Sequence, residues 1–298
     1  MRRVLITGGT GLIGRALVGA LGSRGDDPVV VSRRSNPPRV GWESIESAVE
    51  DVDAVIHLAG EPIAEGRWTD ARWERIRASR VDTTERIAAA IAQASRKPRV
   101  FVSGSAVGIY GMRTDDGELD ETGPAGQDSL ARLVVAWERA ADAARAAGVR
   151  VVHPRTGVVL ARGGGALDKM AAPFKWFVGG PIGGGRQWVS WVHVVDVVRA
   201  LLFAIDSDAL VGAVNVSAPA PATMEALARS IAHALHRPSA MRVPAIALKM
   251  ALGGGLANML LTGQRAVPRK LLDAGFAFDF PRLDEACSDL LEVIGRVP

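Results

Sequence analysis

The chain is poor in the residue types that most often carry covalent and acid/base chemistry. Among its 298 residues there is one cysteine, Cys287, and one tyrosine, Tyr110. A single cysteine excludes a disulfide within the chain and favours a reducing, cytoplasmic setting. No apolar run approaches the roughly 20 residues that cross a bilayer. No apolar leader precedes the first strand-like residues, so we expect a soluble protein with no membrane partner.

Charge and metal-ligand patterns exclude two further classes of partner. The 36 basic and 32 acidic residues give a net charge of +4 and are scattered along the chain. Proteins that bind nucleic acid concentrate basic residues on one surface, so we expect no nucleic-acid partner. The five histidines and the cysteine show no metal-ligand spacing, and we expect no metal site. Both a monomer and a homodimer remain open.

Short β-branched runs alternate with longer alanine-rich stretches in the first half of the chain. This alternation is typical of βαβ units and predicts an α/β fold, a Rossmann-type doubly wound parallel sheet. The predicted strands are residues 3–7, 28–32, 53–58, 99–104 and 149–154, and the predicted helices are roughly residues 12–24, 43–50, 69–95 and 129–147. Because the strand centres are wholly apolar, we expect helices on both faces of the sheet.

The composition changes after about residue 160. Glycine-rich patches at 163–165, 179–185 and 253–255 are followed or separated by proline-punctuated helical segments. Loops of this composition favour a ligand-covering lobe over further sheet. We therefore predict a dinucleotide-binding domain over 1–215 with substrate-lobe insertions after about 160. A smaller, mostly helical C-terminal lobe follows over 240–298.

The segment TGGTGLIG, residues 7–14, follows the first predicted strand and opens a helix. Its glycines suit a dinucleotide: Gly8 permits a tight turn, Gly11 a close approach to a pyrophosphate, and Gly14 close packing of helix and strand. Backbone N–H groups at the start of the helix then face the phosphate charge. We expect the cofactor to contact Gly8, Thr10, Gly11, Leu12, Ile13 and Gly14.

The end of the second predicted strand indicates which dinucleotide binds. It reads VVVSRRS and supplies Ser32, Arg33 and Arg34, with no carboxylate to hold a ribose 2′-hydroxyl. Arginine matches a phosphate through paired N–H groups, so NADP is favoured over NAD. The alternative is a solvated pair of surface arginines.

The glycine loop, HLAG at 57–60 and SGS at 103–105 together resemble the extended short-chain dehydrogenase/reductase superfamily. More narrowly, residues 58–84, SAVGIYG, GRQWVSWVHVVD and VPRKLLDAGFAFDFP are similar to the atypical "epimerase family" proteins. Those proteins join an NAD-dependent-epimerase-type domain to a short C-terminal domain of unknown function. The resemblance implies further cofactor contacts at Leu58, Ala59, Gly60, Ser103, Pro154, Arg155 and Thr156.

The superfamily's acid/base pair, Tyr-x-x-x-Lys, is missing. Four residues after Tyr110 stands Thr114, so the pair occurs nowhere in the chain. Glu138 matches a family glutamate eight residues past the tyrosine, which places Leu130 and Val134 at the two catalytic positions. A tyrosine poised near neutral pH needs a neighbouring cation, because its free pKa is about 10.

Two residues near the fourth strand are candidates to replace the pair. Ser105 matches the superfamily serine that hydrogen-bonds the substrate oxygen, although a strand-end serine that only satisfies backbone groups is the alternative. Tyr110 is a candidate acid, but a packing or pocket-wall role is favoured because no nearby cation in the sequence lowers its pKa.

By the same resemblance, five further residues are candidates for substrate contact: Arg80, Arg186, Trp188, Trp191 and His193. For the tryptophans, burial in the core is the commoner role, and His193 more often caps the helix that begins there.

The sequence thus predicts an NADP-binding protein that acts on an unidentified small molecule by hydride transfer without the usual pair. The alternative is a non-catalytic NADP-binding redox sensor or regulator, which an intact phosphate loop beside a missing pair also fits. The name epimerase rests on fold, and fold does not decide function.

Overall fold

The computed structural model describes residues 1–33 and 40–292. Arg34, one of the predicted NADP contacts, lies outside these residues. The strands are β1 (Arg3–Thr7), β2 (Asp27–Ser32), β3 (Val40–Gly41), β4 (Ala54–His57), β5 (Val100–Ser103), β6 (Ser105–Ala106), β7 (Glu118–Leu119), β8 (Arg150–Thr156), β9 (Val158–Leu160), β10 (Trp188–Val189), β11 (Trp191–His193), β12 (Gly212–Val216), β13 (Ala222–Thr223) and β14 (Arg265–Ala266).

The helices alternate with these strands, and two short 3₁₀ helices lie at Trp42–Ser44 and Val107–Tyr110. The α-helices are α1 (Leu12–Ser23), α2 (Ile45–Ala48), α3 (Asp70–Ala78), α4 (Val81–Gln93), α5 (Ser129–Arg139), α6 (Asp142–Ala146), α7 (Gly165–Lys175), α8 (Val194–Asp206), α9 (Met224–Leu235), α10 (Ala245–Leu252), α11 (Gly254–Leu261), α12 (Arg269–Asp273) and α13 (Leu283–Leu291).

The central sheet has the order β12-β8-β5-β4-β1-β2-β3, and β6 continues β5 beside β8. Every pairing within it is parallel. The chain runs outward from β1 to β3 and then returns to β4 on the other side of β1. This reversal leaves a crevice at the carboxyl ends of β1 and β4, where ligands bind in open parallel sheets.

Helices cover both faces of the sheet, which confirms the predicted doubly wound fold. Leu17 of α1 and Leu201 of α8 pack on one face, while Ile87 and Ile91 of α4 pack on the other. Alternate residues of each strand point to opposite faces, so these parallel strands are apolar throughout. The edge strand β12 has no counterpart among the sequence-predicted strands.

One predicted helix is interrupted where a site residue lies. Residues 69–95, expected as a single helix, form α3 and α4 with a break at Ser79 and Arg80. Ser79 uses its hydroxyl for local backbone bonds: it accepts from the Glu61 N–H at 2.9 Å and donates to the Ile76 carbonyl at 2.9 Å. Side chains that bond nearby backbone in this way compete with the helix, and the break turns Arg80 inward.

Up to residue 292, the C-terminal lobe contains the helices α10 to α13 and the strand β14, which pairs with β7 of the first half. The buried carboxylate of Asp196, in the first turn of α8, accepts hydrogen bonds from the N–H groups of Asp279 at 2.7 Å and Phe280 at 3.0 Å. The His193 ring stacks on Phe280 with centroids 3.8 Å apart. Two segments that carried the family resemblance, WVHVVD and FAFDFP, therefore hold the lobe against the sheet domain.

Candidate functional site

In the glycine loop between β1 and α1, the backbone at Gly8 and Gly14 is packed too closely against its neighbours for a side chain. Gly8 has a φ of +73°, and a Cβ there would lie 2.6 Å from the carbonyl carbon of Leu58. A Cβ on Gly14 would lie 2.2 Å from the carbonyl oxygen of Gly8. The Gly11 N–H donates to that same oxygen at 2.9 Å. The loop is thus a cradle of bare backbone beside the end of β4.

The start of α1 is suited to an anion. Its N-cap, Gly11, has no capping side chain, and its first turn contains no acidic residue. The uncapped N–H groups and the helix dipole favour a phosphate group at this position. Thr10 and Gly11 are exposed, and Leu12 and Ile13 are half-buried. These positions fit the pyrophosphate of a dinucleotide.

Other predicted cofactor contacts surround the same crevice. Leu58, Ala59 and Gly60 follow β4 directly. Ser32, half-buried, ends β2, and Arg33, exposed, follows it. Pro154, Arg155 and Thr156 end β8. Ser103 is fully buried at the end of β5, and its hydroxyl has no hydrogen-bond partner among the described residues.

A buried polar network lies beside the end of β5. The Ser105 hydroxyl donates to Glu138 Oε1 at 2.6 Å. Arg155 donates two hydrogen bonds to the same carboxylate, from Nε to Oε1 at 2.8 Å and from Nη2 to Oε2 at 3.0 Å. Paired geometry of this kind is the strongest form of arginine–carboxylate contact.

Glu138 is ionised in this network. Burial disfavours its charge, but the hydrogen bonds and charge of Arg155 outweigh burial, so the pKa of Glu138 is held below its ordinary value. In the sequence, Glu138 only locates the two catalytic positions on α5, and it is not predicted there as a site residue. The available signal was its spacing: it lies four and eight residues after Val134 and Leu130, on one side of α5.

Tyr110 is committed to packing. Its side chain is 1% exposed, and its hydroxyl lies 2.7 Å from Asn215 Oδ1 and 2.9 Å from the Asp120 carbonyl, while Arg155 Nη1 donates to it at 3.1 Å. Burial raises the pKa of the phenol despite the Arg155 charge. This placement does not fit a catalytic acid and agrees with the packing alternative.

The Arg80 side chain lies beside Gly60, one of the predicted cofactor contacts after β4. The Arg80 Cζ lies 5.3 Å from the Trp137 ring centroid. It is also close to Gly60, since a Cβ added to that glycine would lie 3.4 Å from it. Nη1 donates to the Glu61 carbonyl at 3.0 Å. Burial lowers the pKa of Arg80 to about 10, so the group stays charged at neutral pH. The Arg80 guanidinium packs on the Trp137 ring. The sequence did not predict Trp137 as a site residue, because its spacing indicates only the apolar side of a helix.

His57 at the end of β4 is structural. It is fully buried, and burial, with the charge of Arg80, lowers its pKa to about 3. Thr83 directs its hydroxyl proton to the Ser79 carbonyl at 2.8 Å, so we assign the ring proton to Nε2, which donates to Thr83 Oγ1 at 3.2 Å. Nδ1 then accepts from Thr7.

Two further candidates, Trp191 and His193, are buried and have partners within the protein. Trp191 is fully buried in the core, and its Nε1 donates to the Ala220 carbonyl at 3.0 Å. His193 is buried, caps α8 through Nδ1 and stacks on Phe280. These placements agree with the core and capping alternatives for the two residues, and substrate contact by either stays a prediction.

Arg186 and Trp188 lie at the edge of the C-terminal lobe. Arg186 lines an open cavity of about 440 Å³ together with Arg229, Arg242 and Glu225. Trp188 Nε1 donates to Asp116 Oδ1 at 2.7 Å. Neither residue joins the Ser105 network.

The chemistry available at the crevice is therefore limited and specific. The uncapped backbone N–H groups at the start of α1 are suited to an anion, an ionised carboxylate binds the Ser105 hydroxyl, and a buried guanidinium lies beside Gly60. No group of three His, Cys, Asp or Glu side chains in residues 1–33 and 40–292 is arranged to hold a metal ion. Within the same ranges no helix is long and apolar enough to cross a membrane.

Comparison with known proteins agrees with this architecture. Residues 4–217 match the NAD dependent epimerase/dehydratase family, and residues 243–290 match a domain of unknown function, DUF1731. The chain is 39% identical over 296 residues to the epimerase family protein SDR39U1 of Bos taurus, covering 97% of this chain and 99% of that protein. It is 41% identical over 294 residues to the epimerase family protein ML0860 of Mycobacterium leprae, covering 96% and 94%.

A solved structure shares the whole fold. The crystal structure of human epimerase family protein SDR39U1, isoform 2, with NADPH superposes with a TM-score of 0.92 at 36% identity, over 97% of this chain and 99% of that one. The two matched regions cover most of the sequence and follow one another in the same order as in the resemblance drawn from the motifs. The chain belongs to the NAD-dependent epimerase/dehydratase family, and within it to the epimerase family proteins of the extended short-chain dehydrogenase/reductase fold.

Proposed function

We propose that this protein is an NADPH-dependent oxidoreductase that interconverts a carbonyl and an alcohol on a small molecule, with Ser105 and Glu138 in place of the Tyr-x-x-x-Lys pair. The observation that carries the proposal is the 2.6 Å bond from the Ser105 hydroxyl to an ionised, Arg155-held carboxylate at the end of β5. Carboxyl ends of parallel strands at a switch point are where such folds bind ligands.

The cofactor assignment rests on the cradle and on charge. Gly8 and Gly14 let the loop pack closely against its neighbours, and Gly11, the exposed and uncapped N-cap of α1, leaves the helix start open to a pyrophosphate. Arg33, exposed after β2, suits the 2′-phosphate that distinguishes NADPH from NADH. The NADPH of the human relative supports the same choice. When bound, NADPH supplies a hydride.

Ser105 and Glu138 handle the proton. Because the Ser105 hydrogen is directed to Glu138, the Ser105 oxygen offers lone pairs and accepts a hydrogen bond from a substrate hydroxyl. As the alcohol loses its proton to Ser105 Oγ, the Ser105 proton moves to Glu138 Oε1. The reverse transfer returns a proton to a newly formed alkoxide. Arg155 keeps the carboxylate ionised, so Glu138 accepts the hydrogen bond from Ser105 and holds the transferred proton only transiently.

Arg80 supplies positive charge to the same crevice. Only Nη1 of its guanidinium has hydrogen-bond partners within the described residues, which leaves Nε and Nη2 to meet a carbonyl oxygen or an anionic substrate group. A partly desolvated cation stabilises developing negative charge more strongly than a solvated one. In this role Arg80 orients the substrate oxygen while Ser105 exchanges the proton.

The test combines cofactor titration with a carbonyl panel. NADPH is expected to bind more tightly than NADH, and Arg33→Ala is expected to narrow the difference; equal affinities in the unaltered protein contradict the cofactor assignment. Turnover is followed by the absorbance of the reduced nicotinamide with a panel of aldehydes and ketones. Ser105→Ala is expected to abolish it, whereas Arg139→Ala, an exposed arginine on α5, is a matched surface control.

A second candidate is a non-catalytic NADP-binding sensor. It is favoured by the burial of Leu130 and Val134, which fill the catalytic side of α5 with aliphatic packing. Tight NADPH binding without turnover of any carbonyl compound supports the sensor. Turnover lost specifically in Ser105→Ala supports the oxidoreductase.

A further inference from the structure

Exposed apolar side chains are concentrated in one part of the surface. Ten large apolar side chains are exposed in residues 1–33 and 40–292, and six of them lie in two short segments. We call these six the apolar face: Trp176, Phe177, Val178, Met241, Ile246 and Met250. Trp176 is 80% exposed and Ile246 is 73% exposed. Contiguous exposed apolar surface of this kind marks an interaction site.

The two segments are neighbours in the fold. The Met241 N–H donates to the Gly179 carbonyl at 3.3 Å, and a Cβ on Gly180 would lie 2.1 Å from the Met241 carbonyl oxygen. Phe177, directly after the C-cap of α7, has a φ of +61°, which is unusual for a large side chain. The tip after α7 and the segment leading into α10 thus form one surface.

Helix α10 packs against α11 but buries little of its own surface: Ala245, Leu248 and Leu252 are half-buried, and the rest of the helix is exposed. Its sequence, AIALKMAL, is almost wholly apolar, yet none of its residues is buried. Ile246 and Met250 are four residues apart and share one side of the helix. Helices of this composition normally bury one side in a core. Here that apolar side faces outward.

The chain segments that carry the apolar face contain basic but no acidic residues. The sequence contains no Asp or Glu between Asp168 and Asp196 or between Glu225 and Asp273. Lys175 and Lys249 are exposed beside the apolar residues, and the Arg237 guanidinium lies 4.5 Å from the Phe177 ring centroid. None of these three cations has an acidic partner among the described residues, whereas Arg242 pairs with Glu225 at 2.8 Å.

We propose that the apolar face is a peripheral docking surface for an anionic phospholipid bilayer. Tryptophan and phenylalanine at a loop tip, an apolar helix side and a lysine and arginine rim match the composition of interfacial membrane binders. Protein interfaces are instead depleted of lysine. Surface docking needs no spanning helix, and it departs from the sequence-based expectation that the protein has no membrane partner. It does not depend on the proposed function.

Vesicle flotation of the full chain tests this. We expect binding to vesicles of phosphatidylcholine with phosphatidylglycerol, little binding to phosphatidylcholine alone, and release as salt concentration rises. Trp176→Ser with Phe177→Ser, and Ile246→Ser with Met250→Ser, are each expected to abolish flotation. Lys175→Ala and Lys249→Ala are each expected to weaken it roughly fivefold.

Matched controls separate this surface from general hydrophobicity and charge. Val211→Ser with Leu272→Ser removes two exposed apolar side chains elsewhere, and Arg139→Ala removes a distant exposed cation; both are expected to float like the unaltered protein. NADPH affinity reports folding of every variant. No flotation, equal flotation on neutral vesicles, or a change in sedimentation that assigns the face to a second copy overturns the proposal.

Discussion

Ser105 and Glu138 are joined by a 2.6 Å hydrogen bond between side chains 33 residues apart in sequence. Ser105 extends from the end of the central sheet, and Glu138 lies near the end of α5, where Arg155 holds its carboxylate from β8. The serine proton is thereby directed away from the crevice and towards a group that can accept it.

Substitutions of Ser105 and Glu138 distinguish a role in proton exchange, which is measured by kcat, from a role in packing, which is measured by the unfolding free energy. Ser105→Ala is expected to lower kcat roughly 100-fold or more, because it removes the group that exchanges the proton. It costs only about 1.5 kcal/mol of unfolding free energy, the value of a hydrogen bond to a charged group. Glu138→Gln is expected to cost about 3 kcal/mol, since it leaves the buried Arg155 charge without its counter-ion. Urea denaturation and steady-state kinetics give both quantities. Equal losses of unfolding free energy in Ser105→Ala and Glu138→Gln contradict the role of Glu138 as the counter-ion of Arg155.

Tyr110→Phe distinguishes a packing residue from a proton donor. Loss of the hydroxyl leaves Asn215 Oδ1 and Arg155 Nη1 short of a partner, which is expected to lower the unfolding free energy by about 2 kcal/mol. Turnover per folded molecule is expected to be unchanged, because the phenol is 1% exposed and its hydroxyl is held by Asn215 and the Asp120 carbonyl. A large fall in kcat with unchanged stability returns the acid role to Tyr110.

His57 makes stability depend on pH. Its pKa is about 3 in the folded chain against an ordinary 6.5, because burial disfavours the charged ring. Between these values the unfolded chain binds a proton that the folded chain does not, so unfolding free energy falls as pH falls through this window, by up to about 1.4 kcal/mol per pH unit.

His57→Gln retains polar contacts to Thr7 and Thr83 and removes the titration. As pH falls below 6.5, the unfolding free energy of the unaltered protein is expected to fall more steeply than that of the variant. The difference between the two therefore shrinks, and at lower pH the variant becomes the more stable protein. Unfolding curves collected across that range measure the difference. His233→Gln, on the exposed side of α9, controls for loss of a histidine. Parallel profiles for the unaltered protein and His57→Gln rule out this source of pH dependence.

Asp196→Asn is expected to loosen the C-terminal lobe. The carboxylate accepts from both the Asp279 and Phe280 N–H groups, and an amide oxygen replaces that double contact poorly, at a cost of about 2 to 3 kcal/mol. Hydrogen exchange at these two amides is expected to accelerate while exchange in β1 and β4 stays slow. Asp208→Asn, an exposed acid, is the matched control. Unchanged protection at Asp279 and Phe280 contradicts the docking role.

Local patterns were enough to predict the glycine cradle, the parallel strands and the family. Glycine at 8, 11 and 14 acts on backbone within a few residues, and apolar runs report which faces a strand buries, so both can be read without knowing the fold. Such patterns do not reveal the helix break at Ser79 and Arg80, because there the Arg80 side chain donates to the carbonyl of Glu61 in a distant loop.

The direction of each site side chain depended on contacts between segments far apart in the chain. Counting showed that no Tyr-x-x-x-Lys pair exists, but not that Tyr110 would be bound by Asn215, 105 residues away, or that His193 and Asp196 would hold Phe280, 84 residues beyond Asp196. Those outcomes follow from how helices and strands pack. Packing sums many weak contacts that the order of residues along the chain does not display.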